Sequence, residues 1–263
     1  MSDVQYVYFH GQPGSPDELS LFHGQDWRNA KMLFVPDRSM EKPDLPLAQY
    51  LDELAKTIES RYPTGPIRLV GFSLGGILAL EIAGRLIDRG NGRALSLDLI
   101  STPAPLNYGN FLPDMAGGMV FSLARTQPWL FNLLTFVQGL MARYAPAFLF
   151  NQIFSTASGE DASLGKDAQF RSVLHLILAK SFKGRAWGYR REIFGYAAFD
   201  GARLSLIDVP VQIWQGLADN WTPPSMAGSL SAALPRAKVT RLENLSHYST
   251  LKAALPQIFA DLL

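Results

Sequence analysis

Over its first 103 residues the chain alternates short runs of β-branched and aromatic residues with longer stretches of helical spacing, and that alternation points to a parallel sheet covered by helices. Val4 to Phe9 reads as a first strand and Met32 to Val35 as a second, ended by Pro36 and Asp37. Leu47, Tyr50, Leu51, Leu54 and Ile58 then share one helical face, with Asp44 as a cap, Pro46 tolerated in the first turn and the Pro63 to Pro66 turn as a stop. Ile67 to Phe72 predicts a third strand and Leu74 to Asp88 a helix whose polar residues Glu81, Arg85, Asp88 and Arg89 occupy one narrow face. Leu95 to Ile100 predicts a fourth strand, after which the alternation stops.

It resumes with strands at Val209 to Gln215 and Lys238 to Leu242 and a closing helical pattern through Leu251, Leu255, Ile258, Phe259 and Leu262, which Pro256 is expected to split into two short helices. The interval between has helical spacing at Leu130, Leu133, Leu134, Val137 and Met141 and no convincing buried strand. The expected architecture is therefore α/β, a doubly wound, mostly parallel sheet of about six strands. Residues 1–102 and 207–263 form its core and residues 103–206 an inserted helical cap. A chain of 263 residues is near the upper limit for one hydrophobic core, which suits one domain with an insertion better than two domains.

Composition narrows the function. The formal net charge of +1 creates no overall field for nucleic acid or anionic membrane, leaves room for a local patch, and points to a small-molecule substrate. The absence of cysteine excludes disulfides, thiolate catalysis and cysteine-ligated metal sites. Because Met1 to Phe9 already reads as a strand, no signal peptide is expected and the cytoplasm is the expected location. The longest apolar stretch, Trp129 to Met141, is broken by Asn132, Thr135 and Gln138 and is too short to span a bilayer, so it reads as a buried or lid helix.

Ligands of an open α/β sheet bind beyond the carboxyl ends of the strands where strand order reverses. If the second strand lies on one side of the first and the third on the other, the loops His10-Gly11-Gln12-Pro13-Gly14 and Gly71-Phe72-Ser73-Leu74-Gly75-Gly76 share that crevice. The second loop contains Gly-x-Ser-x-Gly between a strand and a helix, the context in which a sharp turn holds a serine out above the sheet. A serine needs a base, and the base needs an orienting acid. Of four histidines, His247 lies in the Asn244 to Tyr248 loop after the last strand, at the same end of the sheet as Ser73; His23 and His175 are tied to no strand end. Asp219, in the loop after the preceding strand, is the candidate acid, although a turn aspartate would look the same. Asp208 precedes its strand, and Asp98 lies within one. The backbone NH groups of Leu74 and Gln12 are the candidate oxyanion donors, since Pro13 has none. The Gln12 side chain is a possible substrate contact as well.

His10-Gly11 after a strand, the Gly71 to Gly76 elbow and the order Ser73, Asp219, His247 together resemble the α/β-hydrolase superfamily, in particular its serine-nucleophile members with a helical cap. The resemblance covers the chain outside the cap. It implies an eight-stranded ancestral sheet, here without its two leading strands, a supporting role for His10 and Gly11 in the oxyanion loop, and a lid formed by the insertion. It also implies chemistry of the esterase, carbon-carbon hydrolase, cofactor-free peroxidase or acyltransferase kind, with no metal or organic cofactor. Serine at the elbow sets the chain apart from relatives that open epoxides or remove halide with an aspartate.

Two features of the cap stand out. Lys180, Lys183, Arg185, Arg190 and Arg191 alternate with Phe182, Trp187 and Tyr189, a pattern that reads as a solvated lid face or a contact for an anionic substrate group rather than a nucleic-acid site. Trp129, Phe131, Phe136, Phe148, Phe150 and Phe154 are expected to pack the cap, and some to line an apolar pocket. The function expected is cleavage of an ester, thioester or related acyl bond of a small, apolar substrate through an acyl-enzyme. Acyl transfer by the same triad and a non-catalytic small-molecule receptor are the alternatives. Oligomeric state is left open.

Overall fold

Tyr6, Val7, Tyr8 and Phe9 are all buried, as a strand covered on both faces of a parallel sheet must be. In the computed structural model of the protein, which describes residues 4–25, 27, 30–39, 45–90 and 95–262, this strand is β1 (Gln5–Phe9). It lies between β2 (Leu33–Phe34) and β3 (Ile67–Phe72), and β4 (Leu95–Ile100), β5 (Val211–Gly216) and β6 (Ala237–Leu242) follow outwards. The order is β2-β1-β3-β4-β5-β6 and every pairing is parallel. Strand order thus reverses between β1 and β3, and Phe9 pairs with Gly71, so the two loops singled out from the sequence leave the sheet side by side.

Helices α1 (Leu47–Arg61) and α2 (Leu74–Asp88) follow β2 and β3, while α9 (Pro224–Ala233) and α10 (His247–Ile258) follow β5 and β6. The cap proposed at Asp44 lies outside the described residues, and Pro46 immediately precedes α1. Two readings of the last segment need correction. His247 is the first residue of α10 rather than a loop residue, because Ser246 and Ser249 form a reciprocal capping box that starts the helix there. Pro256 does not divide α10. Its missing NH would strand the Lys252 carbonyl, and Gln25 Nε2 donates to that carbonyl instead at 3.4 Å.

Between β4 and β5 the chain is helical: α3 (Gly118–Thr126), α4 (Pro128–Tyr144), α5 (Pro146–Ile153), α6 (Asp161–Leu164), α7 (Ala168–Ser181) and α8 (Trp187–Ala198). Phe131 packs between Tyr189 and Phe194 of α8, and Phe150 stacks on Phe154. The expectation that all six aromatic residues pack the cap is corrected for Trp129, Phe136 and Phe148, which are exposed to solvent. Among the described residues no helix is long and apolar enough to cross a membrane.

Candidate active site

Ser73 sits between β3 and α2 with φ 54° and ψ −129°, a left-handed conformation that costs a residue with a Cβ. The turn closes only because its neighbours are glycines. A Cβ at Gly71 would lie 2.4 Å from the Gly76 Cα, and one at Gly75 would lie 2.1 Å from the Phe9 carbonyl oxygen. The Ser73 NH is tied to the Ile100 carbonyl at 2.9 Å, which anchors the elbow to β4.

His247 is buried with its ring packed against Phe72 (centroids 4.7 Å apart) and stacked on Trp221 (5.7 Å, 22° between planes). Its Nδ1 is 3.0 Å from Asp219 Oδ2, and the carboxylate can only accept, so Nδ1 carries the proton and Nε2 is left as the base. Asp219 Oδ1 accepts the NH groups of Trp221 and Thr222, both at 2.9 Å, and Oδ2 also accepts the Thr222 hydroxyl at 2.8 Å. Burial works to raise the Asp219 pKa, but His247 opposite and these donors outweigh it and hold the carboxyl below its ordinary value. Asp98, by contrast, is committed to Arg68 at 2.5 Å and Trp214 at 2.9 Å. Among the described residues no hydrogen bond joins Ser73 to His247; such bonds in unliganded sites commonly tighten only around substrate.

Ser73, Leu74, Gln12 and Thr222 line one cavity of about 60 Å³, otherwise walled by apolar groups from the insertion, among them Met115, Phe121, Tyr189 and Ile193. No described residue accepts from the backbone NH of Gln12 or Leu74, and Leu74 is the first residue of α2, where the helix leaves that group without an internal acceptor. The Gln12 side chain is not a free substrate contact. Its Nε2 donates to Glu192 at 2.8 Å and its Oε1 accepts from Gly14 NH at 3.2 Å and the Ser181 hydroxyl at 3.3 Å. Wider clefts lie elsewhere, one of about 810 Å³ beside Arg68 and Lys238 at the amino ends of the strands and one of about 300 Å³ between α1, α2 and α8. Neither contains Ser73, and Asp219 and His247 line none of the three, Thr222 and Trp221 beside them reaching the Ser73 cavity instead.

The loop bearing His10, Gly11 and Gln12 is held by groups that the sequence did not signal. Wholly buried Arg38 donates to both oxygens of Glu192 (2.9 and 3.0 Å) and to the His10 carbonyl (2.7 Å), linking the core to α8. The Gly11 NH donates to Glu18, whose other donor is Tyr8 OH at 2.5 Å; burial pushes the Glu18 carboxyl up to about 7. His10 Nδ1 lies 2.8 Å from the Gly11 carbonyl, so that nitrogen holds the proton, and burial, with Arg38 nearby, keeps the imidazole neutral by lowering its pKa well below the ordinary value. Asp161 on α6 was also missed: it accepts the NH groups of Tyr248 and Ser249 in the first turn of α10. Among the described residues no three His, Asp or Glu side chains converge to hold a metal ion.

Residues 24–113, which run from before β2 to beyond β4 and include the Ser73 elbow, match the family model of a thioesterase domain. No curated protein matches the sequence. Among solved structures, a thermophilic esterase from Thermogutta terrifontis superposes with a TM-score of 0.67 at 17% identity, covering 98% of this chain and 89% of that one. MenH from S. aureus superposes with a TM-score of 0.61 at 18% identity over 99% and 93% of the two chains. A bromoperoxidase from Bacillus anthracis gives 0.64 at 15% identity over 99% and 92%. At these identities the likeness speaks to the fold alone. The chain has the α/β-hydrolase fold.

Proposed function

We propose that the protein is a serine hydrolase that cleaves an ester or thioester of a small, apolar acyl group. The observation that carries this reading is the 3.0 Å contact of His247 Nδ1 with Asp219, because it puts the proton on Nδ1 and leaves Nε2 to act as the base for Ser73 in the proposed reaction. In the proposed cycle Ser73 Oγ attacks the acyl carbonyl carbon as its proton passes to His247 Nε2. The NH groups of Gln12 and Leu74 would each lower the tetrahedral barrier by about 3 kcal/mol. Collapse breaks the bond to the alcohol or thiol, which leaves with the proton from His247, and water activated by the same imidazole then releases the acid and restores Ser73. The thioesterase-domain match supports thioesters as one substrate class. The apolar cavity of about 60 Å³ is small, which supports short acyl groups unless α3 and α8 move apart.

The test is intact-mass labelling with a fluorophosphonate, comparing wild type with Ser73→Ala, followed by nitrophenyl esters and acyl thioesters of increasing chain length. One adduct lost in the variant, with turnover falling beyond the shortest acyl groups, is the expected result. Folded wild type that takes no label would overturn the reading in favour of a binding protein on the same fold.

A further inference from the structure

Helix α4 has two faces of opposite character. Phe131, Thr135 and Ala142 turn inwards and are buried. Trp129, Leu133, Phe136, Leu140 and Tyr144 recur at the spacing of a single helical face and are 67%, 51%, 63%, 43% and 71% exposed. Five large apolar side chains in one row facing water mark a surface built to be covered.

The charges around that row are of one sign. From Met115 to Gly159 the only charged residues are Arg125 and Arg143, and from Ala168 to Arg191 there is again no acidic residue. Arg125, Arg143, Lys183 and Arg185 are exposed, and among the described residues none of these four pairs with a carboxylate. Beside Phe136 the row opens into a cavity of about 260 Å³ between α4 and the turn that joins α7 to α8, with Arg185 and Arg190 in its wall. Both guanidinium groups flank the Trp187 ring, at 6.0 and 5.3 Å, and Arg190 Nε is steadied by Asn132 at 2.9 Å. Thr135 lines the same cavity, 3% exposed, and its hydroxyl has no hydrogen-bond partner among the described residues. Two guanidinium groups without a carboxylate, beside a buried hydroxyl without a partner, are the donors that a phosphate group would satisfy.

We infer that the outer face of α4 docks on an anionic phospholipid surface, with one lipid phosphate between Arg185 and Arg190 and Trp129, Leu133, Phe136 and Leu140 entering the boundary between headgroups and acyl chains. Apolar row and cationic rim are the two parts that interfacial binding requires, and the net charge of +1 adds little overall attraction to that of the patch. A second copy of the chain fits less well, because a twofold contact through this face would set the cationic rim against itself with no carboxylate between. The inference is independent of the proposed reaction and is read without turnover.

The experiment is co-sedimentation with vesicles of phosphatidylcholine alone or mixed with phosphatidylglycerol, at low and high salt, for wild type, Leu133→Glu/Phe136→Glu and Arg185→Glu/Arg190→Glu. Wild type should sediment with the anionic vesicles only and be released by salt, and each double variant should bind at least about tenfold more weakly. Thermal melts by circular dichroism check that the variants, altered at the surface and away from the Ser73 cavity, remain folded. Wild type that ignores anionic vesicles, or binds both vesicle types equally and tolerates Arg185→Glu/Arg190→Glu, would overturn the inference. So would a dimer in sedimentation velocity that Leu133→Glu/Phe136→Glu dissociates while no vesicle binds, which would assign the face to a second copy.

Discussion

Asp161 accepts the backbone NH of Ser249 at 2.7 Å and its hydroxyl at 2.6 Å, and its other carboxylate oxygen takes the Tyr248 NH at 2.9 Å. A carboxylate of the helical insertion therefore caps the helix whose first residue is His247, at the end where the helix dipole favours negative charge. Replacing Asp161 with Ala strands the buried Tyr248 NH, while the Ser249 NH keeps the Ser246 hydroxyl of the capping box, and should lower stability by about 1–2 kcal/mol in urea unfolding. Because the first turn of α10 also sets the imidazole, kcat should fall roughly ten- to hundredfold with a smaller change in KM, and Asp161→Asn should lie between. Unchanged kcat in a destabilised variant would make Asp161 purely structural.

Asp219 has two duties that one substitution separates. Asn at this position keeps an oxygen for the Trp221 and Thr222 NH groups, but its amide presents a donor or a weaker acceptor to His247 Nδ1. The imidazole then loses the tautomer that leaves Nε2 basic. For Asp219→Asn the expected outcome is a fall in kcat of roughly four orders of magnitude on a nitrophenyl ester, with the circular dichroism of wild type. A near-normal rate would remove Asp219 from the proposed triad.

The protonation of Glu18 makes stability depend on pH in a direction opposite to most carboxylates. Its folded pKa of about 7 lies above the ordinary 4.5 because the side chain is buried, the bonds from Tyr8 and Gly11 opposing that rise without cancelling it. Across that interval the native state holds a proton that the unfolded chain has lost, so this contribution is fully present below about pH 4.5 and is lost as pH rises through about 7. The loss amounts to about 3 kcal/mol on the alkaline side. Glu18→Gln imitates the protonated form. Its stability relative to wild type should increase steadily between about pH 5 and pH 8 in parallel urea titrations. A constant difference would show that the carboxyl ionises normally.

What could be read from the chain beforehand divides along physical lines. Strand and helix periods, the glycines about Ser73 and the loops after β5 and β6 are local patterns, so the elbow was legible, whereas the order β2-β1-β3 entered only as a supposition, from which connection rules placed the two loops at one crevice. The contact of Asp219 with His247 was reachable because both follow strands of the same sheet. Arg38 and Glu192 stand 154 residues apart and Asp161 and Tyr248 87 apart, and nothing in the local sequence of either member names its partner. The outer row of α4 was misjudged for a related reason: a helical apolar stripe has the same spacing whether protein or water faces it. Pro256 was given its intrinsic effect on a helix, which a carbonyl acceptor to Gln25 offset in the fold.

The Arg38–Glu192 pair offers a way to separate holding the fold from shaping the oxyanion loop. Both side chains are wholly buried, so removing one leaves an unpaired charge in the interior, and Arg38→Met or Glu192→Leu alone should each cost about 3–5 kcal/mol. Removing both takes away the desolvation cost together with the attraction. The double variant should therefore be much more stable than the sum of the single losses predicts, a coupling measured by a double-mutant cycle in urea. Activity should not recover in step. The His10 carbonyl loses its donor and Gln12 Nε2 its acceptor in the double variant, and those bonds fix the loop whose Gln12 lines the Ser73 cavity. Stability regained while kcat stays depressed would assign the pair a positioning role at the oxyanion loop, whereas recovery of both together would reduce it to one packing solution among several.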